Sequence, residues 1–78
     1  MRFENWDEAG EALLENAPGV GEATVQSLRK EMGVQTFEFG CVEAGKHGQT
    51  KRLELADGVG PSLALRVGEY VVRHHPHK

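Results

Sequence analysis

The chain has little of what fixes a fold covalently or holds it in a membrane. Its 78 residues contain a single cysteine, Cys41, which excludes an internal disulfide framework and fits a reducing compartment. No apolar run approaches the roughly 18 residues of a transmembrane helix, so neither a spanning segment nor a membrane partner is expected. The opening "MRFENWDEAG" is acidic and has no apolar core. No secretory leader is expected, and the expected location is cytoplasmic. Aromatic side chains are scarce. Phe3, Trp6, Phe37 and Phe39 are expected in the core rather than as base-stacking platforms, with only Trp6 partly exposed. No carboxylate pair in an evident cleft and no nucleophile beside a base can be picked out, so catalysis is not expected. "RHHPHK", with His47 and Cys41, has no zinc-finger spacing, so no metal and no cofactor are expected.

A chain of this length makes one small domain that buries only about 60% of its unfolded surface. Net charge is −3, which by itself argues against a nucleic-acid partner. The distribution says something different. Residues 1–45 carry three cations against nine acids, a balance of −6. Residues 46–78 carry six cations against three acids, a balance of +3, and all four histidines. An anionic partner is expected to meet the second half.

Hydrophobic spacing predicts an all-α chain. Phe3, Trp6, Gly10, Leu13, Leu14 and Ala17 recur at steps of three and four, giving a first helix near 6–16. Asn5 with Glu8 three residues on resembles a capping box. Ala23, Val25, Leu28 and Met32 mark a second helix near 22–32, with Gly33 as its stop. Thr36 opens a short helix over Phe37–Glu43 that buries Phe37, Cys41 and either Phe39 or Val42. At most a short strand pairing is expected near 34–39. "AGKHGQ" reads as an exposed loop. A short helix from Gln49 or Thr50 runs through Leu53 and Leu55. The last helix, near 61–74, starts on Pro61 and buries Leu63, Ala64, Val67, Tyr70 and Val71. "HHPHK" is expected to fray, with residues 76–78 as a tail. Trp6, Leu13, Leu14, Leu28, Leu53, Leu63 and Val67 are expected to share one core.

One motif occurs twice. "APGVGEATVQSL" and "ADGVGPSLALRV" align without gaps, and Gly19 and Gly58 are 39 positions apart. Each copy is a small residue, Pro or Asp, Gly-Val-Gly, and then a helix. A glycine takes φ > 0 easily and lets the backbone press on a ligand. The turn leads into a helix whose first amides lack partners, which makes an anion site.

This pattern resembles the tandem helix-hairpin-helix, or (HhH)2, family. It is similar to DNA-binding domains of excision-repair nucleases, of structure-specific nucleases and of the N-terminal regions of RecA-like recombinases. The resemblance covers most of the chain. It implies a compact domain of about five short helices over 1–75: a first unit near 6–32, a connector near 34–50 and a second unit near 51–74. It implies weak, non-sequence-specific binding of duplex or branched DNA, in repair or recombination and at the nucleoid. Phosphates are held by Gly19, Val20, Gly21 and Thr24 and by Gly58, Val59, Gly60 and Ser62, helped by Lys46, Lys51, Arg52, Arg66 and Arg73. Each valine is expected to serve as a core anchor.

The chain departs from the DNA-binding pattern at three points. Glu22 and Pro61 stand just after the turns where many members have cations, and Asp57 replaces a proline. Pro61 also has no N–H to offer. A second reading therefore stands beside the first: the same fold as a protein–protein or dimerisation adaptor, with a nuclease or another repair protein as partner. In that reading the glycines serve only close helix packing. Glycosylase chemistry is not expected, because a flipped-base pocket needs a much larger chain.

Overall fold

The computed structural model describes residues 2–76, and all its regular structure is helical. Four α-helices follow in order: α1 (Trp6–Asn16), α2 (Glu22–Glu31), α3 (Val34–His47) and α4 (Pro61–His74). A single 3-10 turn, Leu53–Leu55, precedes α4. There is no strand among the described residues, at 34–39 or elsewhere. The expected fifth helix is reduced to that one turn. Buried side chains from Phe3 to Val71 form one cluster.

Local chemistry sets the ends of α1. Asn5 is extended (φ −155°), and its side chain accepts the Glu8 amide at 2.9 Å, as an N-cap should. The Glu8 carboxylate completes no box with Asn5. It reaches the Glu4 amide instead, at 3.5 Å. Helix α2 ends one residue before Met32, whose carbonyl accepts the Trp6 indole N–H at 2.8 Å. That bond lets Trp6 sink into the core at 9% exposure, with its ring 4.7 Å from Phe37. Trp6 is therefore buried, against expectation.

The middle of the chain differs most from its sequence reading. Helix α3 spans fourteen residues rather than the seven expected, and "AGKH" is its last turn. Gly45 is helical because it packs against α4. A Cβ there would stand 2.6 Å from the Gly68 carbonyl oxygen, and one on Gly68 would stand 2.6 Å from the Ala44 Cβ. The helix stops at Gly48, the left-handed residue (φ +69°), where the Gln49 amide bonds back to the Glu43 carbonyl at 2.9 Å. This is the usual role of a C-terminal glycine. The stop signal is thus the second glycine of "AGKHGQ", not the first.

Two expected core residues lie outside. Leu14 is 45% exposed and Phe39 68% exposed. The core takes Leu13 from α1, and Phe37 and Cys41 from α3. Leu63 and Tyr70 are half-buried at its edge. Glu38, unmarked by any apolar pattern, is buried. Its carboxylate accepts the Arg2 amide at 2.6 Å and the Phe3 amide at 3.2 Å, which docks the entering segment on α3.

The end of α4 is packed, not frayed. The Tyr70 hydroxyl donates to the Ala12 carbonyl at 3.3 Å and lies 3.0 Å from His75 Nε2. The His75 ring also sits 4.9 Å from that of Phe3. Of the expected tail, Pro76 is exposed, and residues 77–78 lie outside the described residues.

Two outcomes follow from this packing. Helix propensity alone favours Ala over Gly by about 1 kcal/mol. At position 68 a methyl meets backbone and Ala44, so Gly68→Ala is expected to destabilise by about 2 kcal/mol in urea unfolding. The second outcome concerns pH. Burial, aided by His74, holds His75 below its ordinary value of 6.5, with Glu8 opposing. The folded chain prefers neutral His75, so its contribution is complete above 6.5 and is lost as pH falls through the lower folded value. The melting midpoint is expected to fall as pH drops below about 6.5, and His75→Gln to flatten that fall.

Candidate functional site

The two Gly-Val-Gly segments adopt one backbone twice. Ala17 (φ −77°, ψ 124°) matches Ala56 (φ −76°, ψ 137°). Gly19 at φ +75° matches Gly58 at φ +80°. Gly21 (φ −106°, ψ 177°) matches Gly60 (φ −94°, ψ 179°). Each turn closes the same way: the Val20 amide donates to the Ala17 carbonyl at 3.4 Å and the Val59 amide to Ala56 at 3.1 Å. A four-residue turn with φ > 0 at its third residue has the type II requirement, which Pro18-Gly19 meets directly.

The glycines therefore have separate roles. Gly19 and Gly58 are needed for their positive φ. Gly21 and Gly60 have ordinary extended angles, and a Cβ on either would meet nothing within 4 Å. Nothing inside the fold requires glycine at these two positions.

Val20 and Val59 are buried, as anchors between the paired glycines. With their amides also bonded within the turn, neither valine offers a donor. The open donors lie further on. Helices α2 and α4 begin on Gly21 and Gly60 with no side-chain cap. The first intrahelical bonds are Val25 to Gly21, at 3.2 Å, and Ala64 to Gly60, at 2.9 Å. That leaves the amides of Glu22, Ala23 and Thr24 at one turn and of Ser62 and Leu63 at the other. Thr24 is half-buried and Ser62 exposed.

Tertiary packing links the two turns crosswise. The Ser27 hydroxyl, on α2, donates to the Asp57 carbonyl of the second turn at 2.6 Å. Arg66, on α4, covers the first turn: a Cβ on Gly19 would stand 3.0 Å from its Nη1. Ser27 and Arg66 are themselves 39 positions apart, so equivalent residues of the two units each reach the other unit's turn.

This changes the charge map drawn from sequence. Arg66 belongs to the basic half but sits at Gly19, in the turn of the acidic half. The other cations are dispersed. Arg52 is held 2.7 Å from Glu43, and Lys51 lines the same shallow hollow with Gln49 and Leu55. The Glu43 carboxyl is held below its usual range, chiefly by its hydrogen bond to Arg52. Lys46 adjoins Gly45 at the α3–α4 contact. Arg73 lies in the last turn of α4, about 18 Å along the axis from Pro61. Of the five cations named from sequence, the structure brings Arg66 against a turn. Ser27 was missed: a lone serine carries no sequence signal of a bond thirty residues away.

Comparison of the chain with protein-family models, curated proteins and solved structures finds no match. The geometry of the duplicated turn is what any functional reading rests on. No described helix is long and apolar enough to cross a membrane.

The division between the glycines is testable by folding alone. Gly19→Ala and Gly58→Ala are each expected to cost on the order of 1 kcal/mol, because alanine is strained at positive φ. Gly21→Ala and Gly60→Ala are expected to leave the unfolding midpoint within about 0.5 kcal/mol of the parent.

Proposed function

We propose that this chain is a tandem helix-hairpin-helix module that grips the phosphate backbone of DNA, duplex or branched, without reading its sequence. The observation that carries the reading is the duplicated turn, with its two copies joined crosswise by Ser27 and Arg66. Each turn presents a second glycine with no internal need for one, followed by uncapped helix amides. Free N–H groups at the positive end of a helix suit a phosphate oxygen. The open space at Gly21 and Gly60 lets a strand approach the backbone closely.

Arg66 supplies the charge. Its guanidinium, beside Gly19, offers a fork of donors to a phosphate held at the first turn. The second turn has fewer amides, because Pro61 has none, and it carries Asp57. The first turn with Arg66 is thus the stronger half, although the sequence charge alone favours the second. Binding is weak, in keeping with the net charge of −3, and suits a module that brings an enzyme of repair or recombination to its substrate.

A fluorescence titration with duplex, forked and single-stranded DNA tests this. About four neutralised phosphates give a log–log salt slope near −3.6, or a roughly 100-fold loss between about 50 and 200 mM salt. Arg66→Glu is expected to weaken binding more than Arg73→Glu or the double reversal of Lys51 and Arg52. Gly21→Ala is expected to weaken binding several-fold while changing stability by no more than about 0.5 kcal/mol. Salt-independent binding, or none at about 50 mM salt, sinks the reading.

A further inference from the structure

The face formed by α1 and α2 has a different character from the turns. The helices touch closely at one point, where a Cβ on Gly10 would stand 3.1 Å from Val25 Cγ1. Beside that contact lies an open groove of about 620 Å³. Trp6, Gly10 and Val25 make its apolar floor, and Leu14, 45% exposed, projects at its wall. Leu14 has the spacing of a core residue, yet the fold leaves it outside.

The rim of the groove is acidic. Asp7, Glu11 and Glu15 stand four residues apart along α1, and Glu22 begins α2. Four residues are slightly more than one helical turn, so the three α1 acids form a row about 12 Å long. Among the described residues, the one cation lining the groove is Arg29, which lies 3.1 Å from Asp7. Four acids against one cation leave the lining at −3. Such a surface repels a phosphate backbone.

We infer that this groove is a docking site for an amphipathic helix of another protein, with an apolar stripe flanked by lysines or arginines. The apolar stripe covers Leu14 and fills the floor over Val25 and Trp6. Basic residues four apart on the flank face Asp7, Glu11 and Glu15 at matching pitch. Charge complementarity chooses the occupant, as a row of one sign selects a partner of the other and fixes its register. The groove meets the first turn at Glu22 alone and does not depend on the turns' binding DNA. One chain then has one surface for a polyanion and another for a cationic protein segment.

A synthetic helical peptide with a leucine stripe and lysines at every fourth position is the probe. It is titrated into the full chain at low salt and read by the emission of Trp6, the single tryptophan, and by backbone amide shifts. Saturable binding that shifts the amides around Leu14 and Val25 is expected. Glu11→Lys with Glu15→Lys, both at exposed positions, is expected to weaken binding at least about tenfold. Leu14→Ser is expected to weaken it as well, with the helical circular dichroism of both variants unchanged. The same peptide with glutamates for lysines is expected not to bind. Equal binding of the two peptides, indifference to the Glu11 and Glu15 reversals, or shifts confined to the turns at 19–21 and 58–60 overturns the inference. So does self-association of the chain that Leu14→Ser abolishes, since that gives the groove to a second copy.

Discussion

The close approach of α3 and α4 is the contact on which the other arrangements rest. Gly45 and Gly68 bring the two backbones together, with Cys41 and Ala44 completing the contact on the α3 side. Small residues are required there because any larger side chain meets backbone, which cannot rotate away. The consequence is directional. Helix α4 is held by its middle, which leaves its first turns to carry the second Gly-Val-Gly segment and Arg66. The same packing encloses Cys41 completely, and burial raises its thiol well above the ordinary range. It stays protonated and acts as a small apolar side chain.

The duplication is close at the turns and loose before them. Ala17 and Ala56 end their preceding elements at nearly the same dihedral angles, and α2 and α4 start 39 residues apart. Before the turns the copies diverge. The first has the eleven-residue α1, while the second has a single 3-10 turn. Leu53 of that turn fits over Gly40 of α3, where a Cβ would stand 2.8 Å from its Cδ2. One buried leucine anchors the short element on α3. What the copies share is the turn and the helix after it, and what differs is the element before it.

Charge shows how far sequence order and spatial order can part. Along the chain the acids come first and the cations later. In space Arg66 crosses to the first turn, Arg29 joins Asp7, and Arg52 joins Glu43. The last two pairs are exposed and add little stability, but they occupy cations that the sequence leaves free. Glu11, Glu15 and Glu22 stand with Asp7 on the α1–α2 rim. The molecule thus has two kinds of surface, one of uncapped amides with an arginine and one of carboxylates around apolar side chains.

Much of the backbone was legible in the sequence, because it rests on local physics. Asn5 starts α1, Pro18-Gly19 forces a turn, Pro61 opens α4, and apolar spacing places α1, α2 and α4 within a residue of where they lie. The positive φ at Gly19 and Gly58 follows from the same local rules. What the sequence did not reveal depends on residues far apart in the chain. Gly45 looks like a loop glycine until Gly68 is placed against it. Leu14 and Phe39 satisfy the helical period but face outward, since periodicity marks a stripe and only the neighbouring helix decides which edge of it is covered. Glu38 is buried because the amides of Arg2 and Phe3 come to it. Arg66 reaches the first turn because α4 crosses α3 where it does. Dihedral preference and apolar period act within a few residues and can be read from the order of side chains. Burial, pairing and the setting of a charge are pair properties, and they exist only once distant segments are packed together.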